Sequence, residues 1–150
     1  MGISIRQAKD SDNDWLVVQL ELFSKFNNST KSIYSEKYAS GYVDHMINND
    51  LCLIAERENG LRVGFVAGMF TPCLYNPDIK MLTETFWWVD PAHRSSRAGL
   101  MLLNAFTDNG KEIADWIVFT LESHSPVNEK TLTKRGYRLK EKQYLMEVSA

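Results

Sequence analysis

The sequence predicts a mixed α/β domain in which helices cover a central sheet around one hydrophobic core. Three observations lead there. Apolar residues alternate with period two in some segments and recur with helical period in others, in the order β-α-α-β-β-β-α-β-α-β. Gly and Pro fall between those segments rather than in a linker, and no internal repeat or low-complexity tract interrupts them. The chain has 150 residues, the usual size of one domain, so residues 1–150 are read as a single domain.

Each element follows from local chemistry. Ile3 and Ile5 alternate with Ser4 and Arg6 as a first strand. Asp10, Ser11 and Asp12 supply oxygens that accept the orphan amides of a helix start, and Trp15, Leu16, Leu20, Phe23 and Phe26 follow as a helical stripe. Asn27, Asn28, Ser29 and Thr30 break it, and a second helix is expected over residues 35–48. Residues 51–56 form an apolar strand, Asn59 and Gly60 a tight turn, and residues 61–70 the returning strand. A loop over residues 71–78 leads to a long strand at 80–89, which Pro91 ends because proline cannot donate to a ladder. A helix is expected over residues 96–113. Residues 116–121, Trp-Ile-Val-Phe-Thr-Leu, read as a strand buried on both faces. Ser125 and Pro126 resemble an N-cap and first helical position, opening a short helix that Gly136 ends. Residues 139–148 complete the pattern as a last strand.

Composition removes several classes of function. Seventeen Lys and Arg stand against 19 Asp and Glu, a net charge of −2, so a grip on nucleic acid through bulk positive charge is not expected. No apolar run approaches the ~18 residues of a membrane span, and no signal pattern opens the chain, which makes the cytoplasm the default location. Cys52 and Cys73 are not spaced as a metal pair, and His45, His93 and His124 form no HxxxH pair, so no metal is expected. Cys52 reads as a buried reduced thiol.

The segment that carries chemistry is residues 83–99, TETFWWVDPAHRSSRAG. A strand ends, a polar turn follows and a helix begins. The first-turn amides of that helix lack intrahelical partners and carry the positive end of its dipole, a ready site for a phosphate. Arg94 and Arg97 add charge, Ser95 and Ser96 add hydroxyls, and Gly99 lets a backbone or a helix approach. The alternative reading is a surface helix merely capped by these residues.

Residues 89–99 resemble the turn of the GNAT acetyltransferases, in which Val-x-Pro precedes Arg/Gln-x-x-Gly-x-Gly/Ala. Val89, Pro91, Arg94 and Gly99 fit this pattern, and Arg97 stands where the first glycine is usual. The Arg-Ser-Ser-Arg-Ala-Gly wording is similar to that of bacteriophage-encoded members, for which host cytoplasm is the implied location. The resemblance extends to Ile5-Arg6-Gln7-Ala8, to residues 63–68 (Val-Gly-Phe-Val-Ala-Gly) and to Lys134-Arg135-Gly136-Tyr137.

The resemblance implies a GNAT acyl-CoA N-acyltransferase fold in which two parallel strands, residues 80–89 and 116–121, splay apart. It implies acetyl-CoA as cosubstrate, its pyrophosphate on Arg94, Ser95, Ser96, Arg97, Ala98 and Gly99, and its pantetheine along the backbone of Trp87, Trp88 and Val89. An amine, on a small molecule or a polypeptide, would attack the thioester directly in a ternary complex, with Glu84 as base. On an unbroken strand Glu84 and Val89 face opposite sides, and a β-bulge between them would change that. Trp87 and Trp88 read either as an aromatic wall beside the ligands or as core residues on opposite faces. Tyr75, Asp78 and Asp44 border loops where a cationic acceptor would enter. The family often carries a tyrosine as general acid four residues before Gly136. Here that residue is Leu132, with Tyr137, Tyr144 and Ser125 as possible substitutes. A second reading follows from that departure: a binding or regulatory protein that kept the fold, and the cofactor with it or not, without turnover. Homodimers are frequent in the family, and the oligomeric state here stays open.

Overall fold

The computed structural model describes residues 2–26 and 33–148. The chain divides into two compact units, Met1–Val118 and Phe119–Ala150.

The first unit is built on a five-stranded sheet in the order β1-β2-β3-β4-β5. Its strands are β1 (Ile3–Gln7), β2 (Leu51–Arg57), β3 (Arg62–Pro72), β4 (Lys80–Val89) and β5 (Trp116–Val118). The first four pair antiparallel in succession, and β5 joins β4 in parallel. That parallel pair needs a crossover, which is supplied by α3 (Ala98–Ile113). Helices α1 (Asn13–Ser24) and α2 (Glu36–Asn49) connect β1 to β2. Asp10–Asp12 is a 3-10 turn rather than the first turn of α1. Ser35 caps α2, accepting Tyr38 N–H at 3.4 Å. The expected break at residues 27–30 lies outside the described residues.

Two layers flank the sheet. Leu16, Val17 and Leu20 of α1 and Ala39, Val43 and Met46 of α2 bury one stripe each against Cys52, Ile54, Phe65, Ala67 and Trp88. On α3, Ala98, Leu102, Leu103, Phe106 and Gly110 are buried, a spacing that lines one helical face. Each fully buried large side chain contributes roughly 1.5–3 kcal/mol. Asp12, wholly buried, locks the far edge. It accepts from both terminal Nη groups of Arg6 at 2.8 and 2.9 Å, Arg62 Nε at 2.6 Å and Lys9 N–H at 2.7 Å. Burial alone would raise its pKa; the hydrogen bonds from Arg6, Lys9 and Arg62 outweigh that and hold it well below the usual carboxylate value.

Three expectations are corrected. β5 spans three residues, not residues 116–121, and Trp116 is 44% exposed. Its place at the end of the sheet order leaves it one neighbouring strand, so it is not covered like a central strand. In the second unit, Ser125 opens no helix. Its Oγ accepts Val127 N–H at 3.2 Å, a local turn, and helix α4 covers only Lys130–Thr133. Gly136 does end it, at φ 92°, with Tyr137 N–H returning to Leu132 O. Residues 139–148 form no strand: Leu139, Tyr144, Leu145, Met146 and Val148 are exposed. This unit contains no strand among its described residues, so that segment has no ladder within it.

Candidate functional site

The C-terminal half of β4 presents an edge. Asp90 N–H bonds Val63 O at 2.8 Å, and Trp88 and Val89 stand opposite Phe65 and Gly64. Bonded and non-bonded pairs alternate along an antiparallel ladder. Trp88 and Asp90 therefore turn their peptide groups to β3, while Trp87 and Val89 turn theirs to the β5 side. The β4–β5 ladder covers only Met81, Leu82 and Thr83 opposite Trp116, Ile117 and Val118. Val89 thus lies beyond the last rung, with its N–H directed to that edge, and its carbonyl accepts Arg94 Nε at 3.0 Å.

A bulge settles which way Glu84 points. Phe86 pairs with Ala67 and Glu84 with Gly68, so Thr85 is the extra residue. Thr85 and Phe86 both face the α2 side: Thr85 Oγ1 donates to Ala67 O at 3.2 Å and contacts Met46 Sδ, and the Phe86 ring meets Tyr42 at 6.1 Å. Glu84 shares the opposite face with its cross-strand partner Gly68, which packs against the Phe106 ring. Trp87 and Val89 are on that face too, lying beside Gly99 of α3. The bulge therefore brings Glu84 to the side of Trp87 and Val89, where its side chain is buried.

The turn after β4 is held by its own polar groups. Asp90 Oδ1 accepts Ala92 N–H at 3.0 Å, and Pro91–His93 makes one 3-10 turn. Ser96 Oγ donates to His93 O at 2.6 Å and accepts Ala98 N–H at 3.3 Å. α3 begins at Ala98, and Met101 N–H bonds Arg97 O at 3.1 Å. The amides of Gly99 and Leu100 find no acceptor among the described residues, as expected at a helix start. Arg97 is the N-cap residue at φ −83°, a conformation open to any residue, so glycine is not needed there. Its side chain is exposed, as are Arg94 and Ser95. Two exposed arginines in the turn that leads into open helix amides make it attractive to an anion. Gly99 is not kept small by packing. A Cβ there would sit 3.7 Å from Val89 Cγ2 and 4.0 Å from Trp87 Cζ2, ordinary contacts.

Comparison with solved structures gives the same architecture over nearly the whole chain. A transcriptional regulator from Bacillus halodurans C-125 superposes with a TM-score of 0.74 at 18% identity, covering 98% of this chain and 100% of that one. Glucosamine-6-phosphate N-acetyltransferase from Arabidopsis thaliana gives 0.72 at 14% identity, covering 99% and 100%. A predicted acetyltransferase from Clostridium acetobutylicum, solved with acetyl-CoA, gives 0.72 at 18% identity, covering 97% and 96%. The fold is that of the GNAT acetyltransferases. No protein-family model matches the chain, and neither does any curated protein.

Within this acetyltransferase fold the two tryptophans part company. Trp87 Nε1 donates to Gly99 O at 3.0 Å, tying β4 to α3. Trp88 is buried on the other face among Phe23 and Phe26, and its Nε1 donates to Gln19 Oε1 at 2.8 Å. The Arg94 guanidinium lies 4.4 Å from the Trp88 ring and 5.3 Å from the Phe26 ring. Sequence reasoning missed Gln19. The signal was there: a polar side chain one position before Leu20 and three after Leu16, inside the buried stripe of α1. A buried amide requires partners.

An open hollow of about 450 Å³ lies along the start of α2, lined by Ser35, Lys37, Tyr38, Gly41 and Tyr42. Burial raises the Tyr42 pKa above its ordinary value. In the second unit the Tyr137 ring packs on Phe119 at 6.0 Å, and Leu132 stands in α4. Among the described residues no group of three His, Cys, Asp or Glu is placed to hold a metal, and no helix is long and apolar enough to cross a membrane.

Proposed function

We propose that the chain, as one domain, is an acetyl-CoA-dependent N-acetyltransferase acting on a primary amine. The observation that carries this reading is the continuity from the Val89 edge, through the turn that holds Arg94 and Arg97, to the open amides of Gly99 and Leu100 just after it. A diphosphate is suited to those amides and cations, with Ser95 and Ser96 beside them. The pantetheine arm continues the sheet along Trp87 to Val89. The amine nitrogen attacks the thioester carbonyl, the C–N bond forms, the C–S bond breaks and coenzyme A thiolate leaves. Glu84 takes the ammonium proton before attack, directly or through water. The nitrogen gives its second proton to water as the tetrahedral intermediate collapses, and because Leu132 holds no proton to give, solvent protonates the thiolate. The acceptor, a small amine or a polypeptide end, comes to the face of β4 that carries Glu84. The Arg-Ser-Ser-Arg-Ala-Gly turn keeps the bacteriophage-type reading, with host cytoplasm as the place of action.

The test is calorimetry with acetyl-CoA, followed by free-thiol release against a panel of amines. Saturable binding and amine-dependent thiol release support the proposal; no binding of acetyl-CoA ends it. Leu132 favours a second reading, a binding protein of the same fold without turnover. That reading predicts cofactor binding with no thiol release over any amine.

A further inference from the structure

Gln19 has a buried amide, no surface role, and two partners that bracket Val89. Its Oε1 accepts the Trp88 indole N–H at 2.8 Å, and its Nε2 makes a long 3.5 Å contact to Asp90 Oδ2. Gln19 is 4% exposed and Trp88 5%. A buried indole N–H without an acceptor is costly, so this bond fixes the ring. The fixed ring then serves as a platform. Arg94 lies over it, beside the Phe26 ring that packs edge-on against Trp88, with Nε tied to Val89 O. Only Nε of Arg94 is committed among the described residues, which leaves its two Nη groups as donors. A guanidinium held by a cation–π contact and one hydrogen bond loses little further freedom on taking a phosphate.

We infer that Gln19 is a positioning residue for the diphosphate turn: by anchoring the Trp88 ring on which Arg94 lies, it sets where the Arg94 Nη groups are presented. This rests on the acetyl-CoA reading of that turn. Gln19 touches neither cofactor nor acceptor and acts through Trp88.

The experiment is a double-mutant cycle read by acetyl-CoA calorimetry on the full chain, with Gln19→Met and Arg94→Ala singly and together. Gln19→Met should raise the acetyl-CoA Kd about three- to twentyfold, the range spanned by one displaced cation–π contact. In the Arg94→Ala background the same substitution should change Kd by less than about twofold, because the residue it positions is gone. A general loss of packing would weaken binding equally in both backgrounds, and that result overturns the inference. So does a Gln19→Met Kd equal to that of the unsubstituted protein. Gln19→Met/Trp88→Phe removes donor and acceptor together, so neither is left orphaned in the core. Its Tm should recover relative to Gln19→Met while its Kd stays raised, and a Kd that recovers with Tm also overturns the inference. If the unsubstituted protein does not bind acetyl-CoA, the site reading falls and this inference with it. If it binds and Gln19→Met is silent, only the inference falls.

Discussion

Gly68→Ala should destabilise the protein more than alanine at either of two other buried or half-buried glycines. A Cβ at Gly68 would lie 2.7 and 2.8 Å from Phe106 Cζ and Cε2 and 3.0 Å from Thr83 O. Phe106 is fully buried, and Thr83 O is main chain beside the β4 bulge, so neither yields cheaply. Forcing one methyl into such a site costs about 1–3 kcal/mol. At ~2–4 °C per kcal/mol for a chain of this size, Tm should fall by about 2–12 °C. At Gly110 the Cβ would meet Ile117 Cδ1 at 2.7 Å, the end of a half-buried side chain, and alanine gains about 1 kcal/mol of helix propensity. Gly110→Ala should therefore move Tm by less than Gly68→Ala. Gly99→Ala meets nothing closer than 3.7 Å and should leave Tm unchanged or raise it. Thermal melts by circular dichroism measure all three. A Gly68→Ala Tm equal to that of the unsubstituted protein, or a larger loss at Gly110, would refute the packing argument.

Arg97→Asp and Arg94→Ala should each weaken acetyl-CoA binding about ten- to a hundredfold by calorimetry, the worth of one charge-assisted hydrogen bond, without moving Tm by more than a few degrees. Glu84→Gln should lower thiol release about 10²- to 10⁴-fold while changing acetyl-CoA affinity little, and should abolish the acid limb of the pH–rate profile; an unchanged profile removes Glu84 from catalysis. Asp12→Ala should cost about 3–5 kcal/mol in urea melts, because Arg62 and Lys9 N–H lose their buried carboxylate and Arg6 is left with Glu56 alone. The folded-state pKa of Asp12 is depressed, so its contribution is complete above the ordinary carboxylate pKa and is lost as pH falls towards the folded value. Asp12→Asn should flatten the urea midpoint between pH 5 and about pH 3, and equal slopes in both proteins would contradict this. Burial pushes the Cys52 thiol up to about 12, so in the folded protein it should resist iodoacetamide at pH 8, as mass spectrometry would show.

Local signals carried most of the first unit. Alternation placed β4 at Lys80–Val89, and Pro91 marked its end. The Asn59-Gly60 pair marked the hairpin, where Gly60 has φ 82°. What local pattern cannot encode is a partner. The run at 116–121 has the composition of a buried strand, yet only Trp116–Val118 finds a ladder. Residues 139–148 alternate like a strand and remain exposed, because propensity without pairing does not make a sheet. At the site, Arg94 and Arg97 were legible as charge beside a helix start. The Arg94 stack was not, because it depends on Gln19 of α1, Phe26 just after that helix and Trp88 of β4, which only the fold brings together. The parity of Glu84 was legible as a problem, and its resolution, the extra residue at Thr85, lies in the register with β3.

A crystal structure of the complex with acetyl-CoA tests the central claim most directly. The account predicts diphosphate density within hydrogen-bond reach of the Gly99 and Leu100 amides, flanked by Arg94 and Arg97, with the pantetheine running along β4 at Val89. Acetyl-CoA bound elsewhere on the chain, with those amides left to solvent, would contradict it.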